Sequence, residues 1–397
     1  MKVIGLMSGT SSDGVDAALV DIRGGSKRLH IKPLAFRLFP YPRTLQKKLI
    51  DVASGLPHSA DIFCHLNVYI GELFSEAVIR LASEAGAPLS DIALIGSHGQ
   101  TVQHLPTPRR CGKWSLRSTL QLGEASIIAE RTGITTIADF RPRDIAAGGE
   151  GAPLTPYLHH HLFKHPRKTR AILNLGGISN VTYLQAGASL NQTIAFDIGP
   201  GNMLIDGLVT VLTRSRKRFD QNGRMARQGK THPKLYAELM RHPFLKKPPP
   251  KSTGRETFGL RLADRVLKKS KSLRLGPEDI IATASAFTVG AVSKNILQYH
   301  HNEGPIHEII VGGGGARNPF LIQSLADTLA PIPVLDYETF GLDSRAIEAM
   351  AFAVLAYQTW HGRPSNIPTV TGASHPVVLG KIIPAPPRTP QSASFSY

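Results

Sequence analysis

Short apolar runs separated by small-residue turns recur along the first third of the chain. Runs of four to eight apolar or alternating residues are typical of strands, and apolar residues three or four positions apart are typical of helices. This pattern predicts a β-hairpin followed by further strands and two helices. The predicted strands are residues 2–7, 15–22, 31–39, 91–101 and 134–140, and the predicted helices are 59–85 and 122–133.

The same order of elements begins again after residue 168. Residues 169–185 read as strand, glycine-bearing turn and strand, which repeats the opening of the chain. A faint internal repeat of this kind predicts two related α/β domains. The later predicted elements are a strand at 193–202, a helix from Met203, a helix at 280–299, a strand, glycine cluster and helix over 306–329, and a helix at 344–362 with Ser344 as N-cap.

Composition adds the class of protein. At 397 residues the chain exceeds a comfortable single core, and 42% hydrophobic with 19% charged residues is ordinary for a globular enzyme. Two cysteines, Cys64 and Cys111, are too few for a disulfide framework and fit a reducing compartment. With no signal peptide and no run that approaches a membrane span, we expect a cytoplasmic protein with no membrane partner.

The net charge of +17 raises nucleic acid as a possible partner. Basic residues gather at 165–170, 213–219, 245–255 and 265–274, but these clusters lack the interleaved aromatic residues that stack on bases. An anionic small substrate and a solvated basic surface explain the charge better, so we expect no nucleic-acid partner.

Three segments are candidates for chemistry. The turn after the first strand carries two glycines, four hydroxyl residues and two aspartates. It is either a phosphate-binding turn, with Asp13 or Asp16 holding Mg²⁺ through water, or a polar hairpin tip. Asp197 follows an apolar run and precedes a glycine turn, where a carboxylate can act as base or metal ligand or can brace the turn. Gly312–Gly315 lie between a predicted strand and a predicted helix, but the last glycine of a dinucleotide-binding fingerprint is absent. Four consecutive glycines favour close approach of a ligand, to which N–H groups at the start of the helix would be available.

The order of these three segments matches the phosphate and adenosine motifs of sugar kinases, actin and the heat-shock ATPases. Nine ordered motifs between residue 1 and about residue 383 resemble anhydro-N-acetylmuramic acid kinase more closely. They are MSGTSSDGVD (7–16), GSHGQT (96–101), ADFRPRDIAAGGEGAPLTP (138–156), NLGGISN (174–180), FDIGPGN (196–202), FDQNGRMARQG (219–229), PPKSTGRETFG (249–259), VGGGGARNP (311–319) and VTGASHPVVLGKI (370–382).

The resemblance implies an α/β fold of two related actin-like ATPase domains, each ribonuclease H-like, around an ATP cleft. The first domain would be residues 1–137 with about 371–384, the second 138–370, and the Pro- and Ser-rich tail 385–397 is expected to be disordered. The family suggests a homodimer.

The resemblance also implies a reaction: ATP and water convert 1,6-anhydro-N-acetylmuramic acid to N-acetylmuramic acid 6-phosphate and ADP in peptidoglycan recycling. Asp197 would be the base that activates water for attack at C1. The residues expected to bind ATP with Mg²⁺ are Gly9, Thr10, Ser11, Ser12, Asp13, Gly14, Val15, Asp16, Gly199, Gly312, Gly313, Gly314, Gly315 and Asn318.

The substrate of that family carries a lactyl carboxylate, for which Arg141 and Arg143 are the candidate partners. The alternative for these two arginines is an ion pair between the domains. Asp144 and Glu150 are candidates for the sugar hydroxyls. His98, Gln100 and Glu348 are expected to line the sugar pocket, although His98 can equally be a satisfied structural residue and Glu348 an ordinary helix-surface carboxylate.

Two positions depart from the family pattern. Ser12 stands where an apolar residue is usual, which should matter little at a loop tip, and Ile198 stands where Thr is common, which would weaken nucleotide binding if that hydroxyl contacts a phosphate. The alternatives are a kinase of the same superfamily acting on another sugar or on a carboxylate, and a basic ATP-dependent scaffold or nucleic-acid-binding protein.

Overall fold

The computed structural model describes residues 1–9, 12–25, 28–54 and 57–387. The strands are β1 (Lys2–Ser8), β2 (Gly14–Gly25), β3 (Arg28–Pro40), β4 (Ile92–Cys111), β5 (Trp114–Leu122), β6 (Thr136–Ala138), β7 (Arg170–Leu175), β8 (Ile178–Leu184), β9 (Ile194–Pro200), β10 (Glu308–Gly312), β11 (Val334–Asp336) and β12 (Lys381–Ile383).

Groups of helices follow groups of these strands along the chain, which gives a mixed α/β fold. They are α1 (Arg43–Val52), α2 (Ala60–Glu84), α3 (Ala125–Thr132), α4 (Phe140–Ala146), α5 (Thr155–Phe163), α6 (Asn202–Leu212), α7 (Arg224–Gln228), α8 (Pro233–Leu239), α9 (Arg255–Phe258), α10 (Leu260–Ser272), α11 (Pro277–Asn302), α12 (Pro319–Leu329), α13 (Ile347–Trp360) and α14 (Pro368–Thr371).

The chain divides into two compact units, Met1–Leu162 with Arg345–Tyr397, and Phe163–Ser344. Segments 138–162 and 345–370 therefore belong to the first unit, whereas the sequence predicted both in the second. Packing explains the difference. Helix α13 lies on β1, β2 and β4 of the N-terminal sheet, where a side chain at Gly5 or Gly96 would collide with its backbone.

The two units share one strand order. In the first sheet β3, β2, β1, β4 and β6 are neighbours in that order, and in the second β9, β8, β7, β10 and β11 follow the same plan. In each sheet the first three strands along the chain pair antiparallel, while the first pairs in parallel with the fourth. This repeated order confirms the prediction of two related ribonuclease H-like domains.

Each unit has its own hydrophobic core. In the first, α2 packs on the sheet through buried residues such as Ile70, Phe74 and Val78. In the second, α11 is the central helix, with Ile281, Phe287 and Val292 almost completely buried. These cores hold the strand ends that carry the candidate site residues.

The sequence predictions differ from the structure at three places. Strand β4 continues to Cys111 and pairs with β5, so the polar residues after position 101 form a hairpin instead of a loop. Helix α13 starts at Ile347 with Ala346 as N-cap, and Ser344 does not cap it. Helices α2 and α11 are long and apolar enough to cross a membrane by length and composition alone, contrary to expectation, although 72% of the apolar window of α11 is buried in its unit.

Candidate active site

The turn between β1 and β2 belongs to the first unit, and it is packed rather than exposed at Ser12. Ser12 is 1% exposed and has a left-handed backbone with φ of 51°. Its N–H donates to the carbonyl oxygen of Gly9 at 3.1 Å, which closes the turn. The expectation that Ser12 sits at a loop tip is therefore wrong. Thr10 and Ser11 lie outside the described residues.

Gln100, at the middle of β4, holds this turn in place through hydrogen bonds. Its Nε2 donates to the carbonyl oxygen of Gly9 at 3.0 Å and to the hydroxyl of Ser12 at 3.3 Å. Its Oε1 accepts from the hydroxyl of Ser8 at 2.6 Å. One buried amide thus fixes both ends of the turn, which gives Gln100 a positioning role.

Tyr41 adds a phenol near the same turn. Its N–H donates to the carbonyl oxygen of Asp13 at 3.0 Å, and its hydroxyl is buried near the Ser8 hydroxyl. Burial raises the pKa of the Tyr41 phenol above its ordinary value, and the charges of Asp13 and Asp16 raise it further, whereas the Ser8 hydroxyl acts in the opposite direction.

The remaining turn residues divide between packing and ligand space. Val15 is 1% exposed in the core of the first unit, and a side chain at Gly14 would collide with the backbone of Phe39, so both serve the sheet. A side chain at Gly9 would meet open space. Among the described residues no group of three or more His, Cys, Asp or Glu side chains forms a metal cluster. One or two carboxylates such as Asp13 and Asp16, completed by phosphate oxygens and water, nevertheless suit Mg²⁺.

Arg141, at the start of α4, is the centre of a second cluster in the first unit. Its Nε donates to Nε2 of His98 at 2.9 Å and its Nη1 donates to the carbonyl oxygen of Gly151 at 2.7 Å. Burial lowers the pKa of Arg141 to about 10, while the charges of Glu348 and Asp144 oppose that shift. The guanidinium is therefore cationic at neutral pH and fixed in direction.

His98 is neutral in this arrangement. Its ring lies 4.5 Å from that of Phe352, its Nδ1 lies 2.9 Å from the carbonyl oxygen of Gly99, and its Nε2 accepts from Arg141. Burial lowers the pKa of His98 well below the ordinary value, and the Arg141 charge lowers it further. His98 thus acts as an acceptor that orients Arg141.

The charge of Arg141 also affects the pKa values of Glu348 and His104. The surrounding protein raises the pKa of Glu348, although the side chain reaches solvent, and Arg141 opposes the shift. Burial, reinforced by Arg141, lowers the pKa of His104 to about 4. Sequence analysis missed His104 because it ended β4 before that residue.

The Asp144 carboxylate is hydrogen-bonded to other residues of the first unit. It is completely buried, and Oδ1 accepts from Asn366 and from Thr371, each at 2.7 Å. Oδ2 accepts from the N–H of Gly151 at 2.8 Å. Asp144 therefore joins the loop after α4 to the C-terminal segment, and its geometry favours a positioning role over contact with a sugar.

Arg143 and Glu150 complete the predicted set for the first unit. Arg143 is exposed, unlike the half-buried Arg141 two residues earlier. Glu150 is half-buried, burial raises its pKa, and Arg117 opposes that shift. The structure thus brings Arg141 and His98 into contact, Glu348 lies near enough for its charge to act on Arg141, and Arg143 is exposed.

Asp197 lies on β9 in the second unit and is held by a segment more than fifty residues later. Its N–H donates to the carbonyl oxygen of Lys251 at 3.0 Å, and its Oδ2 accepts from the N–H of Thr253 at 2.9 Å. The preceding strand residue faces the core, so the carboxylate is presented on the opposite side. The sequence motif that contains Lys251 and Thr253 was recognised, but its contact with Asp197 depends on tertiary structure.

Lys251 supplies a cation next to that carboxylate. Its ammonium lies 5.0 Å from the ring centre of Phe244 and 5.8 Å from that of Phe196. Burial lowers the pKa of Lys251, and the negative charge of Asp197 opposes this.

The glycines of 312–315 are required by close packing at more than one position. Gly313 has φ of 83°, and a side chain there would collide with Asn174. A side chain at Gly312 would collide with the ring of Tyr337, whereas Gly314 has only Asn202 nearby at 3.7 Å. The cluster is therefore a tight turn with space for a ligand at Gly314.

Asn318 is the N-cap of α12. Its Oδ1 accepts from the N–H groups of Phe320 and Leu321 at 3.1 and 3.4 Å. Those two N–H groups are engaged by the cap and are therefore not offered to a ligand.

Gly199 and Ile198 follow Asp197 on the strand. Gly199 has φ of 152°, and a Cβ there would lie 2.9 Å from a methyl carbon of Leu245. Ile198 is 1% exposed and belongs to the core of the second unit, so an apolar side chain suits this position.

A carboxylate pair not anticipated from the sequence lies on the same unit. Burial raises the pKa of Asp206 to about 7, and the charge of Asp220 contributes. The Asp220 carboxylate accepts from the N–H groups of Met225 and Ala226 at 2.8 and 3.0 Å and so stabilises the first turn of α7.

Comparison with known proteins gives one consistent family. A family model described as anhydro-N-acetylmuramic acid kinase matches residues 1–385. The anhydro-N-acetylmuramic acid kinase of Caldanaerobacter subterraneus subsp. tengcongensis is 45% identical over 380 residues, which is 96% of each chain. That of Salinibacter ruber is 42% identical over 385 residues, covering 97% of this chain and 96% of that protein.

Solved structures give a more distant similarity. The activator of the 2-hydroxyisocaproyl-CoA dehydratase from Clostridium difficile, with bound ADPNP, is 12% identical with a TM-score of 0.42 and covers 90% of this chain and 95% of that one. The fold assignment rests on the repeated strand order described above, not on this similarity.

Proposed function

This chain belongs to the anhydro-N-acetylmuramic acid kinase family and is thus a phosphotransferase that uses ATP, and from that premise we propose its substrate, product and mechanism. It opens the 1,6-anhydro ring of 1,6-anhydro-N-acetylmuramic acid with water and phosphorylates O6. The products are N-acetylmuramic acid 6-phosphate and ADP.

The observation that carries this proposal is the setting of Asp197. One carboxylate oxygen accepts from the Thr253 N–H, which fixes the group in direction next to the Lys251 cation. A fixed carboxylate is suited to take a proton from water as the water attacks an anomeric carbon.

The reaction balances with one carboxylate. The water oxygen bonds to C1 as the C1–O6 bond breaks, and Asp197 accepts the water proton. O6 bonds to the γ-phosphorus, the bond from that phosphorus to the β,γ-bridging oxygen breaks, and ADP leaves. Because the phosphoryl group accepts O6, no separate general acid is needed, unlike the carboxylate pair of most glycosidases.

The Arg141 cluster is the proposed recognition site for the lactyl carboxylate. Arg141 is cationic and oriented by His98, so it can pair with a planar carboxylate. Glu348 is the proposed partner of a sugar hydroxyl. Arg143 is a weaker candidate because it is exposed.

The turn after β1 is the proposed phosphate site and the glycine turn 312–315 the proposed adenosine site. When bound, Mg²⁺ would neutralise charge on the transferring phosphoryl group. Asp13 and Asp16 would hold it through water. Gly9 leaves open space for the phosphates at this turn.

We extend the proposal to the cellular setting. The family name supports a role in peptidoglycan recycling, and the two cysteines, both exposed and free, fit a reducing cytoplasm. A homodimer remains a proposal, which the molar mass of the protein in solution would test.

Turnover in ¹⁸O-water tests the proposed reaction. The protein with Mg-ATP and 1,6-anhydro-N-acetylmuramic acid should form ADP only when the sugar is present, with ¹⁸O at C1 of the product and none in the phosphate. Label in the phosphate would mean simple ATP hydrolysis. Absence of sugar-dependent ADP would reject the substrate.

Replacing Gln100 with leucine is expected to raise the KM for ATP about tenfold and to leave the KM for the sugar within about twofold. The reason is that the substitution removes the amide that holds Gly9 and Ser12. Steady-state kinetics with each substrate varied in turn measures both constants. Gln103→Leu, on the same strand, is the matched control, and a rise confined to the sugar KM would restore Gln100 to the sugar pocket.

A further inference from the structure

The hydroxyl of Thr253 is a buried polar group for which the described residues provide no hydrogen-bond partner. Its Oγ1 is shielded from solvent and has no hydrogen bond among the described residues. Buried hydroxyls in native proteins nearly always have a partner, so an orphan requires an explanation. Its position next to the proposed base suggests that explanation.

Thr253 is joined to Asp197 by its own backbone. The Thr253 N–H donates to Oδ2 of Asp197 at 2.9 Å. The hydroxyl oxygen of a threonine lies about 3 to 4 Å from its own nitrogen, depending on the side-chain rotamer. Oγ1 is thus close to the carboxylate, and one water molecule can hydrogen-bond to both when the rotamer turns Oγ1 toward Asp197.

The segment around Thr253 is fixed enough to hold such a water. Asp197 and Lys251 bond through their backbones at 3.0 Å, so residues 251–253 grip the carboxylate from two sides. Ser252, the neighbouring hydroxyl residue, is exposed, whereas Oγ1 of Thr253 is not.

We propose that the Thr253 hydroxyl binds and orients the nucleophilic water together with Asp197. The water donates one hydrogen to the carboxylate and the other to Oγ1 of Thr253, which leaves an oxygen lone pair for C1. As the O–C1 bond forms and the C1–O6 bond breaks, the first proton passes to Asp197. This inference rests on the proposed function, because it assigns the water of that reaction.

Three variants separate the hydroxyl from the shape of the side chain. Thr253→Val keeps the branched shape and removes the hydroxyl, Thr253→Ser keeps the hydroxyl, and Thr257→Val is a matched control in the same segment. The Thr257 hydroxyl donates to the carboxylate of its neighbour Glu256 at 3.3 Å, away from Asp197 in the sequence.

The valine variant is expected to lower kcat about 10- to 100-fold while the KM values for ATP and sugar stay within about twofold. The serine variant is expected to retain at least about a third of wild-type kcat. Thermal unfolding and binding of ADP should match wild type in all three variants, since the backbone bond to Asp197 is kept. A structural role would not give this split between kcat and KM together with rescue by serine.

Two results would overturn the inference. One is wild-type kcat in Thr253→Val, and the other is a rise in the sugar KM at unchanged kcat, which would assign the hydroxyl to the sugar. If the valine variant unfolds at a lower temperature, Thr253→Ala removes the same hydroxyl and is judged by the same split.

The proposed function fails separately. In that case the wild type itself forms no sugar-dependent ADP, or places no ¹⁸O at C1. If the wild type labels C1 and Thr253→Val retains full kcat, only the assignment of the water is rejected.

Discussion

Asp197→Asn is expected to reduce sugar-dependent turnover about 1,000-fold and to leave ADP binding within about twofold of wild type. Asparagine has nearly the same shape, and its amide oxygen can still accept the Thr253 N–H. It has no carboxylate to receive the proton of water. Steady-state ADP release measures the first quantity, and isothermal titration with ADP measures the second.

Asp264→Asn is the matched control for charge. Asp264 is exposed on α10 of the same unit and pairs with Lys268 at 2.8 Å. This variant should keep wild-type turnover. If Asp197→Asn retained more than about a tenth of wild-type kcat, Asp197 would not be the base. The alternative predicted from the sequence, that Asp197 stabilises the glycine turn, would then hold.

Asp144→Ala is expected to lower the free energy of unfolding of the first unit by about 3 kcal/mol. The side chain is completely buried and accepts three hydrogen bonds. Its loss leaves the donors on Asn366, Thr371 and Gly151 unsatisfied in a buried place. Urea unfolding of the variant and of the wild type measures the loss.

Asp139→Asn is the control for that loss. Asp139 is on the same segment, and its carboxylate forms an exposed ion pair with Lys381 at 2.7 Å. Asparagine also tolerates its left-handed backbone, with φ of 56°. The expected change is below about 1 kcal/mol. Equal losses in the two variants would show that the buried bonds of Asp144 contribute no more than a surface pair.

Local patterns predicted much of the fold. The opening β-hairpin, helix α2 and the repeated strand–turn–strand of β7 and β8 follow from the spacing of apolar residues and from glycine turns. These features involve residues near one another in sequence, where periodicity is informative. The extension of β4 was missed because polar residues in a two-stranded ribbon look like those of a loop.

Predictions of individual side chains were less complete for a physical reason. Gln100 was expected in the sugar pocket, but its amide bonds to Gly9 and Ser12, about ninety residues earlier. Asn318 was expected to face the ligand, and its oxygen caps α12. A motif names residues that matter, but whether a polar atom is free for a ligand depends on which donors the fold brings to it.

The sequence by itself determined the two related α/β domains and the family, because repeated apolar patterns and ordered motifs are local properties of the chain. Tertiary structure alone decided the domain boundary, the burial of Asp144, the orientation of Arg141 by His98 and the placement of Thr253 against Asp197. Each of these depends on contacts between residues that are distant in sequence, and the free energy of such contacts comes from burial and paired hydrogen bonds that only the folded chain provides.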